Sequence, residues 1–237
     1  MTLLTICQSA ADEIGIPEPD SIINNTDPSV LQLKRAATRT GKSLVIRHPW
    51  ESLVREGSFT SSAQTDQGSM LSFENNYGRF RNDTMYDRTS KLKIFGPLTD
   101  VQWQRLNATV SSGVRFWFRI RAGRVIIFPT IAASHAIFFE YVTKNWVDSG
   151  TGATPAVPDA AVFDNDSNTV AFDEELVTLG VIWRFLKGKG LPYQEQKLEY
   201  ETELADLIMQ DGAKGTINMT GGVYEGWPSN VPDSGFG

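Results

Sequence analysis

Apolar residues recur every three or four positions near both ends of the chain, a spacing typical of amphipathic helices. The first helix is predicted to begin after Thr2, a favourable N-terminal cap, and to end at Gly15, because two prolines follow. The second is predicted to begin at Asp27-Pro28 and to end at His48-Pro49, since the residue before proline avoids helical backbone. The predicted buried positions are Leu3, Ile6, Cys7, Ala10 and Ile14 in the first helix and Val30, Leu33, Ala37 and Leu44 in the second.

Between the terminal helices the apolar pattern changes to a period of two, the repeat of a strand with one buried face. Residues 114–121 alternate apolar side chains with arginine and tryptophan, and Ala122-Gly123 predicts a tight turn into a strand that Pro129 ends. Thr99 and Gln102 have capping-box spacing and predict a short helix. Further strands are predicted at 135–143 and near 53–59, 70–73 and 92–95.

A stretch rich in glycine, alanine, proline and aspartate predicts a linker over residues 151–169, after which the helical pattern returns. Each pair of terminal helices presents an apolar stripe that needs a partner. Residues 1–50 and 170–213 are therefore predicted to form one helical bundle, with an antiparallel β-rich unit over 51–150 inserted between them. The predicted fold class is α+β.

Residues 214–237 combine many helix and strand breakers with isolated aromatic side chains, so they cannot build a core of their own. They are predicted to form an extended C-terminal arm. Aromatic side chains contribute strongly to binding when they enter a partner's groove. Tyr224, Trp227 and Phe236 are the candidate anchors, and a frayed terminus is the open alternative.

Composition narrows the class of protein. Hydrophobic residues make up 41% of the chain, as in ordinary globular proteins, while the net charge of -6 disfavours a generic DNA-coating protein. Cys7 is the single cysteine, which excludes an internal disulfide, and it is predicted to be a small buried hydrophobe. No apolar run approaches the roughly 20 residues that span a bilayer, and the N-terminus lacks the basic flank of a signal peptide, so neither membrane insertion nor secretion is predicted.

The sequence contains two groups of cations. The second helix carries a basic side opposite its apolar stripe, for which solvent exposure is the usual meaning, and its members are Lys34, Arg35, Arg39 and Lys42. The second group is a strand face, predicted to contact a neighbouring acidic subunit, and it comprises Arg115, Trp117, Arg119, Arg121 and Arg124. The open alternative for this face is a nucleic-acid-binding module that combines arginines with an aromatic ring.

Known catalytic signatures are absent from the sequence. There is no glycine-rich phosphate loop, no HExxH and no Ser/His/Asp order, so the chain is predicted not to be an enzyme and to use no cofactor or metal. Asp164, Asp166, Asn168 and Glu175 have calcium-loop spacing, but Thr169 replaces the required glycine, and a polar turn before a helix is preferred. An enzyme working from Asp83, Asp87 or Glu140 remains open, although nothing spaces them as a pair.

Four segments, in their order and spacing, carry a resemblance to a known family. They are Ala10 to Pro19, Leu44 to Trp50, Phe95-Gly96-Pro97-Leu98-Thr99 with Trp103, and Leu176 to Tyr200, which includes Trp183-Arg184. Over roughly residues 1–215 the chain resembles the head-to-tail adaptors of tailed bacteriophages, also called tail tubular protein A-like proteins.

The resemblance implies a structural virion protein located at the head-tail interface and assembled in the host cytoplasm. It implies a ring of about a dozen copies beneath the portal protein, contacting a downstream tail or nozzle protein, with the C-terminal arms on the portal. Double-stranded DNA would pass through the channel without sequence-specific binding. Because firm arginine contacts would hinder that passage, the strand arginines are expected to point away from the channel, towards a neighbouring subunit or the tail. Acidic residues such as those of 195–206 are a candidate lining of the channel.

Overall fold

The computed structural model describes residues 2–108, 115–150 and 158–212. Within these ranges the protein is a mixed α/β chain with six helices and a curled sheet, which confirms the coarse prediction of helices combined with a β-rich part. The helices are α1 (Leu3–Ile14), α2 (Pro28–Arg47), α3 (Met70–Phe73), α4 (Asp100–Ala108), α5 (Glu174–Lys189) and α6 (Gln194–Gln210). The strands are β1 (Val54–Thr60), β2 (Asp66–Ser69), β3 (Tyr77–Phe80), β4 (Tyr86–Asp87), β5 (Leu92–Phe95), β6 (Phe116–Arg121), β7 (Arg124–Phe128), β8 (Ala136–Thr143), β9 (Val147–Asp148) and β10 (Thr169–Val170).

The N-terminal helices begin and end at the predicted residues. The Thr2 hydroxyl accepts a hydrogen bond from the Thr5 amide at the start of α1, and Gly15 ends the helix in left-handed backbone with φ of 76°. The Asp27 carboxylate accepts from the Ser29 amide at 2.7 Å, ahead of Pro28 in the first turn of α2. These local signals operate through backbone groups that the helix itself leaves unpaired.

Helices α1, α2, α5 and α6 form what we call the helical half, in which the other three pack on α5. The contact between α2 and α5 is very close, because a Cβ added at Gly180 would lie 2.3 Å from Cγ2 of Thr40. The core of this half is continuous across all four helices and includes Leu3, Ile6, Leu33, Leu44, Leu176, Ile182, Tyr200 and Leu204. No helix in the described ranges is long and apolar enough to cross a membrane.

Cys7 is completely buried in α1, as predicted for a small apolar side chain. Burial, with a smaller contribution from the Asp166 carboxylate, raises the pKa of its thiol to about 12. The thiol therefore stays protonated at neutral pH, and a protonated thiol is a poor nucleophile and a poor metal ligand.

The main sheet has the strand order β1-β8-β4-β5-β6-β7-β2, and β3 also pairs with β8. Residues Ile137, Phe139 and Tyr141 of β8 face the same side and are buried in a second core, as their alternation predicts. Ala122 and Gly123 both have positive φ, 48° and 73°, which closes the predicted tight turn between β6 and β7.

One strand prediction is wrong at one pair of strands, and another is wrong altogether. The described pairs of the main sheet are antiparallel as predicted, except that β5 and β6 run parallel, because the intervening α4 supplies the crossover that a parallel pair requires. Residues 70–73 were predicted to be a strand and form α3. Ser69 caps α3 by accepting from the Leu71 amide, and the Phe73 ring stacks on Phe59 with centroids 4.4 Å apart.

Trp146 lies where the chain passes from the sheet into the helical half. Its ring is 1% exposed, packs edge-on against Phe163 with centroids 4.9 Å apart, and donates its Nε1 proton to the Ala161 carbonyl at 3.1 Å.

The predicted linker also contacts the helices. The Asp166 carboxylate accepts from the amides of Ile22 and Ile23 at 3.0 and 2.9 Å. The described part of the predicted linker, residues 158–169, is therefore packed on the helical half.

Candidate functional site

The predicted strand face of arginines is divided by α4. Arg119 on β6 is only 9% exposed, forms an ion pair with Asp100 at the start of α4, and lies 5.6 Å from the centroid of the Trp103 ring. Thr99 and Gln102 exchange the predicted capping-box hydrogen bonds, at 2.9 and 3.4 Å, at the start of α4. Arg119 is therefore held within the fold and does not belong to an open surface.

The other members of the face have separate environments. Arg124 on β7 pairs with Asp66 on β2 at 2.8 Å, and that hydrogen bond is the main reason the pKa of Asp66 lies below its usual range. Trp117 is half-buried, with its ring 6.5 Å from that of Phe95. Arg115 and Arg121 are exposed and have no ion pair among the described residues. Arg121 lies directly opposite Arg124, so these residues share one face of β6 and β7, but the buried Arg119 and the ion-paired Arg124 leave no continuous surface of unpaired cations there.

A second cationic surface lies on the side of α2 that faces away from α5. We call it the α2 basic face, and it comprises Lys34, Arg35, Arg39 and Lys42. Arg35, Arg39 and Lys42 are exposed and Lys34 is half-buried, and none of the four side chains has an ion pair within the described ranges. Leu31 and Thr38 lie between the cations and form the floor of a shallow open groove. Four adjacent unpaired cations repel one another, so this face favours an anionic partner.

The outer side of α6 carries the opposite charge. We call it the α6 acidic face, and it comprises Glu195, Glu199, Glu203 and Asp206. These carboxylates also have no ion pair in the part of the chain that the structure describes. Beside them, Leu198 is 70% and Met209 is 62% exposed. Only Tyr200 and Leu204 of α6 are buried, so most of the helix surface is available for contact.

The negative potential extends from α6 onto the end of α1. Burial, followed by the like charges of Glu199 and Glu175, raises the pKa of Glu13 above its ordinary value. On the opposite flank of α6, Glu201 forms a bidentate ion pair with Arg47 at the end of α2, which lowers the pKa of Glu201. The acidic face is therefore directed away from α2 of the same chain.

A polar junction connects the ends of α2 and α6 to the sheet. The Asp211 carboxylate lies 3.0 Å from Nε2 of His48 and accepts from the Glu51 amide at 3.1 Å. Arg81 pairs with Glu51 at 2.6 Å and with Glu140 at 3.6 Å, and its hydrogen bonds lower the pKa of Glu51. Residue 212 adjoins Glu51, so the segment that follows begins beside this junction. Nothing in the sequence indicated that these residues lie together.

Asp87, His135 and Ser90 are the residue types of a hydrolase triad, and all three lie together. Asp87 Oδ2 and Ser90 Oγ both contact the same ring nitrogen of His135, Nδ1, at 2.6 and 3.1 Å. A triad needs the serine and the carboxylate on opposite nitrogens, so this cluster cannot relay a proton from Ser90. Asp87 is fully buried and also accepts from the amides of Thr89 and Ser90, which fixes the turn after β4.

The calcium-like sequence is used for packing. Asp166 accepts the two amides of the loop after α1, and the Asn168 side chain accepts the amides of Asp164 and Asn165 at 3.0 and 2.7 Å. No group of three or more potential metal ligands occurs among the described residues. The candidate arm anchors Tyr224, Trp227 and Phe236 lie outside the described residues.

No family model matches the sequence, and no curated protein matches it either.

Proposed function

We propose that the chain is a non-enzymatic structural virion protein, a head-to-tail adaptor that forms a ring joining the portal protein of a tailed bacteriophage to its tail. The observation that carries the proposal is the arrangement of the helical half. Helices α1 and α2 precede β1 to β8 in the sequence, and α5 and α6 follow them. The other three helices nevertheless all pack on α5. This arrangement supports a helical bundle with an inserted β-rich unit, the organisation that the family resemblance implies.

Surface chemistry supports assembly over catalysis. The α2 basic face and the α6 acidic face each carry four unpaired charges, and exposed leucine and methionine side chains accompany the acidic one. Isolated charges alone mean little, but adjacent like charges without partners are the surface pattern of a protein that docks on charged surfaces. A ring of such chains would surround DNA that passes through without sequence-specific contacts.

The proposed partners are the portal protein on one side and a downstream tail or nozzle protein on the other. The arm, residues 214–237, would reach the portal through Tyr224, Trp227 and Phe236. It would start from the junction of His48, Glu51 and Asp211, which holds the end of α6. The exposed Arg115 and Arg121 would face the tail side. The alternative of a nucleic-acid module on the same strands receives less support, because Arg119 and Arg124 already pair with carboxylates.

Deletion of residues 216–237 is expected to leave the melting temperature within a few degrees of the full chain and to abolish binding to the portal of the same virus. The described residues by themselves form a continuous core in the helical half, while an arm that orders on binding contributes contacts only in the complex. Circular dichroism melting and co-sedimentation with purified portal measure the two effects.

The matched variant is the full-length chain with Tyr224→Ala, Trp227→Ala and Phe236→Ala. If the aromatic rings anchor the arm, this variant loses portal binding as the deletion does. Full portal affinity of the truncated protein would show that the arm is not the tether.

A further inference from the structure

The α2 basic face and the α6 acidic face have matching patterns. Leu31, Arg35, Thr38 and Lys42 follow one another at helical spacing on α2, and Glu195, Glu199, Thr202 and Asp206 do the same on α6. Arg35 and Lys42 are two turns apart, as are Glu199 and Asp206, with a threonine between the charges in each helix. Two such helices laid side by side can therefore place Arg35 and Lys42 opposite Glu199 and Asp206, over about two turns.

Resting on the proposed ring, we propose that neighbouring copies of the chain join head to tail, with the α2 basic face of one copy receiving the α6 acidic face of the next. Leu198 of the second copy, which is 70% exposed, would pack against Leu31. The occupant of the groove is thus a second copy of this chain.

Charge complementarity decides the mode of association. Two α2 basic faces repel each other, and so do two α6 acidic faces, so a two-fold symmetric dimer through either surface is disfavoured. A contact between unlike faces of identical chains is heterologous, and repetition of a heterologous contact gives a ring when the rotation closes. A chain with one basic and one acidic face would therefore form a ring and not a two-fold dimer.

Within one copy the two faces do not satisfy each other. The end of α2 reaches α6 through Arg47 and Glu201, on the flank of α6 away from the acidic face. Glu199 of the acidic face lies instead near Glu13 of α1, and its like charge contributes to the raised pKa of Glu13. Pairing between copies would remove the repulsion among like charges on both surfaces at once. A DNA backbone bound to the α2 basic face would remove it on that face alone. With this pairing, the α6 carboxylates lie in the contact between subunits. They would then not line the channel, which was the expectation from the sequence.

The test is a charge exchange in the full-length chain. Arg35→Glu/Arg39→Glu and Glu195→Lys/Glu199→Lys change exposed side chains that make no ion pairs within the described structure. Each double variant is expected to weaken self-association by about tenfold or more, because close like charges replace close opposite ones. The variant with all four changes is expected to regain assembly. Sedimentation velocity, with portal added as a template for the ring, measures the assembled fraction.

Arg79→Glu/Lys91→Glu is the matched control, since it reverses two exposed cations on the sheet, outside the contact, and should assemble as the unaltered chain does. Melting temperatures show whether every variant is folded. Undiminished assembly of the folded Arg35→Glu/Arg39→Glu variant would overturn the inference while leaving the adaptor proposal intact. Loss of duplex-DNA binding with unchanged rings would also overturn it and make the face a DNA surface. Failure of the unaltered chain to assemble even on portals would instead defeat the adaptor proposal.

Discussion

Replacing Trp146 with alanine is expected to lower the free energy of unfolding by about 3–5 kcal/mol. The ring is 1% exposed, packs against Phe163 and Phe172, and donates a hydrogen bond to the Ala161 carbonyl. Its removal would leave a cavity where the sheet meets the helical half, together with an unpaired carbonyl. A loss of this size is a large fraction of the stability of an ordinary domain, about 5–15 kcal/mol.

Urea unfolding followed by circular dichroism measures this effect. Trp103→Ala is the control, because Trp103 is only half-buried on α4 and should cost no more than about half as much. An unchanged urea midpoint for Trp146→Ala would contradict the central position given to this residue.

Gly41→Ala is expected to destabilise the protein by about 3 kcal/mol, through overpacking against Trp146. Gly41 is buried within α2, where alanine would otherwise be favoured by about 1 kcal/mol on helix propensity alone. However, an added Cβ would lie 2.2 Å from Cη2 and Cζ3 of the Trp146 ring, far inside van der Waals contact. The helix and the indole ring cannot both keep their positions.

A double-mutant cycle isolates this contact. In a Trp146→Ala background the ring is gone, so Gly41→Ala should become neutral or stabilising by up to about 1 kcal/mol. The same cost in both backgrounds would show that the glycine is required for another reason.

The structural features that depend only on residues close together in the chain were predicted correctly from the sequence. The caps Thr2 and Asp27 and the Thr99–Gln102 capping box act within a single turn, and all three are confirmed. The alternation of β8 likewise predicted its buried side, because the period of a strand fixes the direction of each side chain.

Features set by distant partners could not be predicted in this way. The Arg119 side chain alternates with apolar neighbours as an exposed cation would, yet α4 covers it, because Asp100 supplies a counter-charge from another element. The parallel pairing of β5 with β6 depends on where α4 returns the chain. The junction joins His48, which follows α2, to Asp211, which follows α6, and no local sequence pattern predicts this contact.

The apolar pattern of α5 also did not show which of its side chains are most deeply buried. Trp183 lies in the apolar pattern of α5 but is only half-buried, with its ring 6.0 Å from that of Tyr200. Trp146 follows Lys144 and Asn145 at the end of a strand and is fully buried. Position between the two halves of the fold, which periodicity does not encode, decides which tryptophan is central.

Electron microscopy of the full-length chain mixed with the portal protein of the same virus tests the adaptor proposal most directly. The proposal predicts an additional ring of about a dozen copies beneath each portal, with the helical halves side by side around an open channel. Portals that carry no added ring, imaged at concentrations at which both proteins are folded, would contradict it.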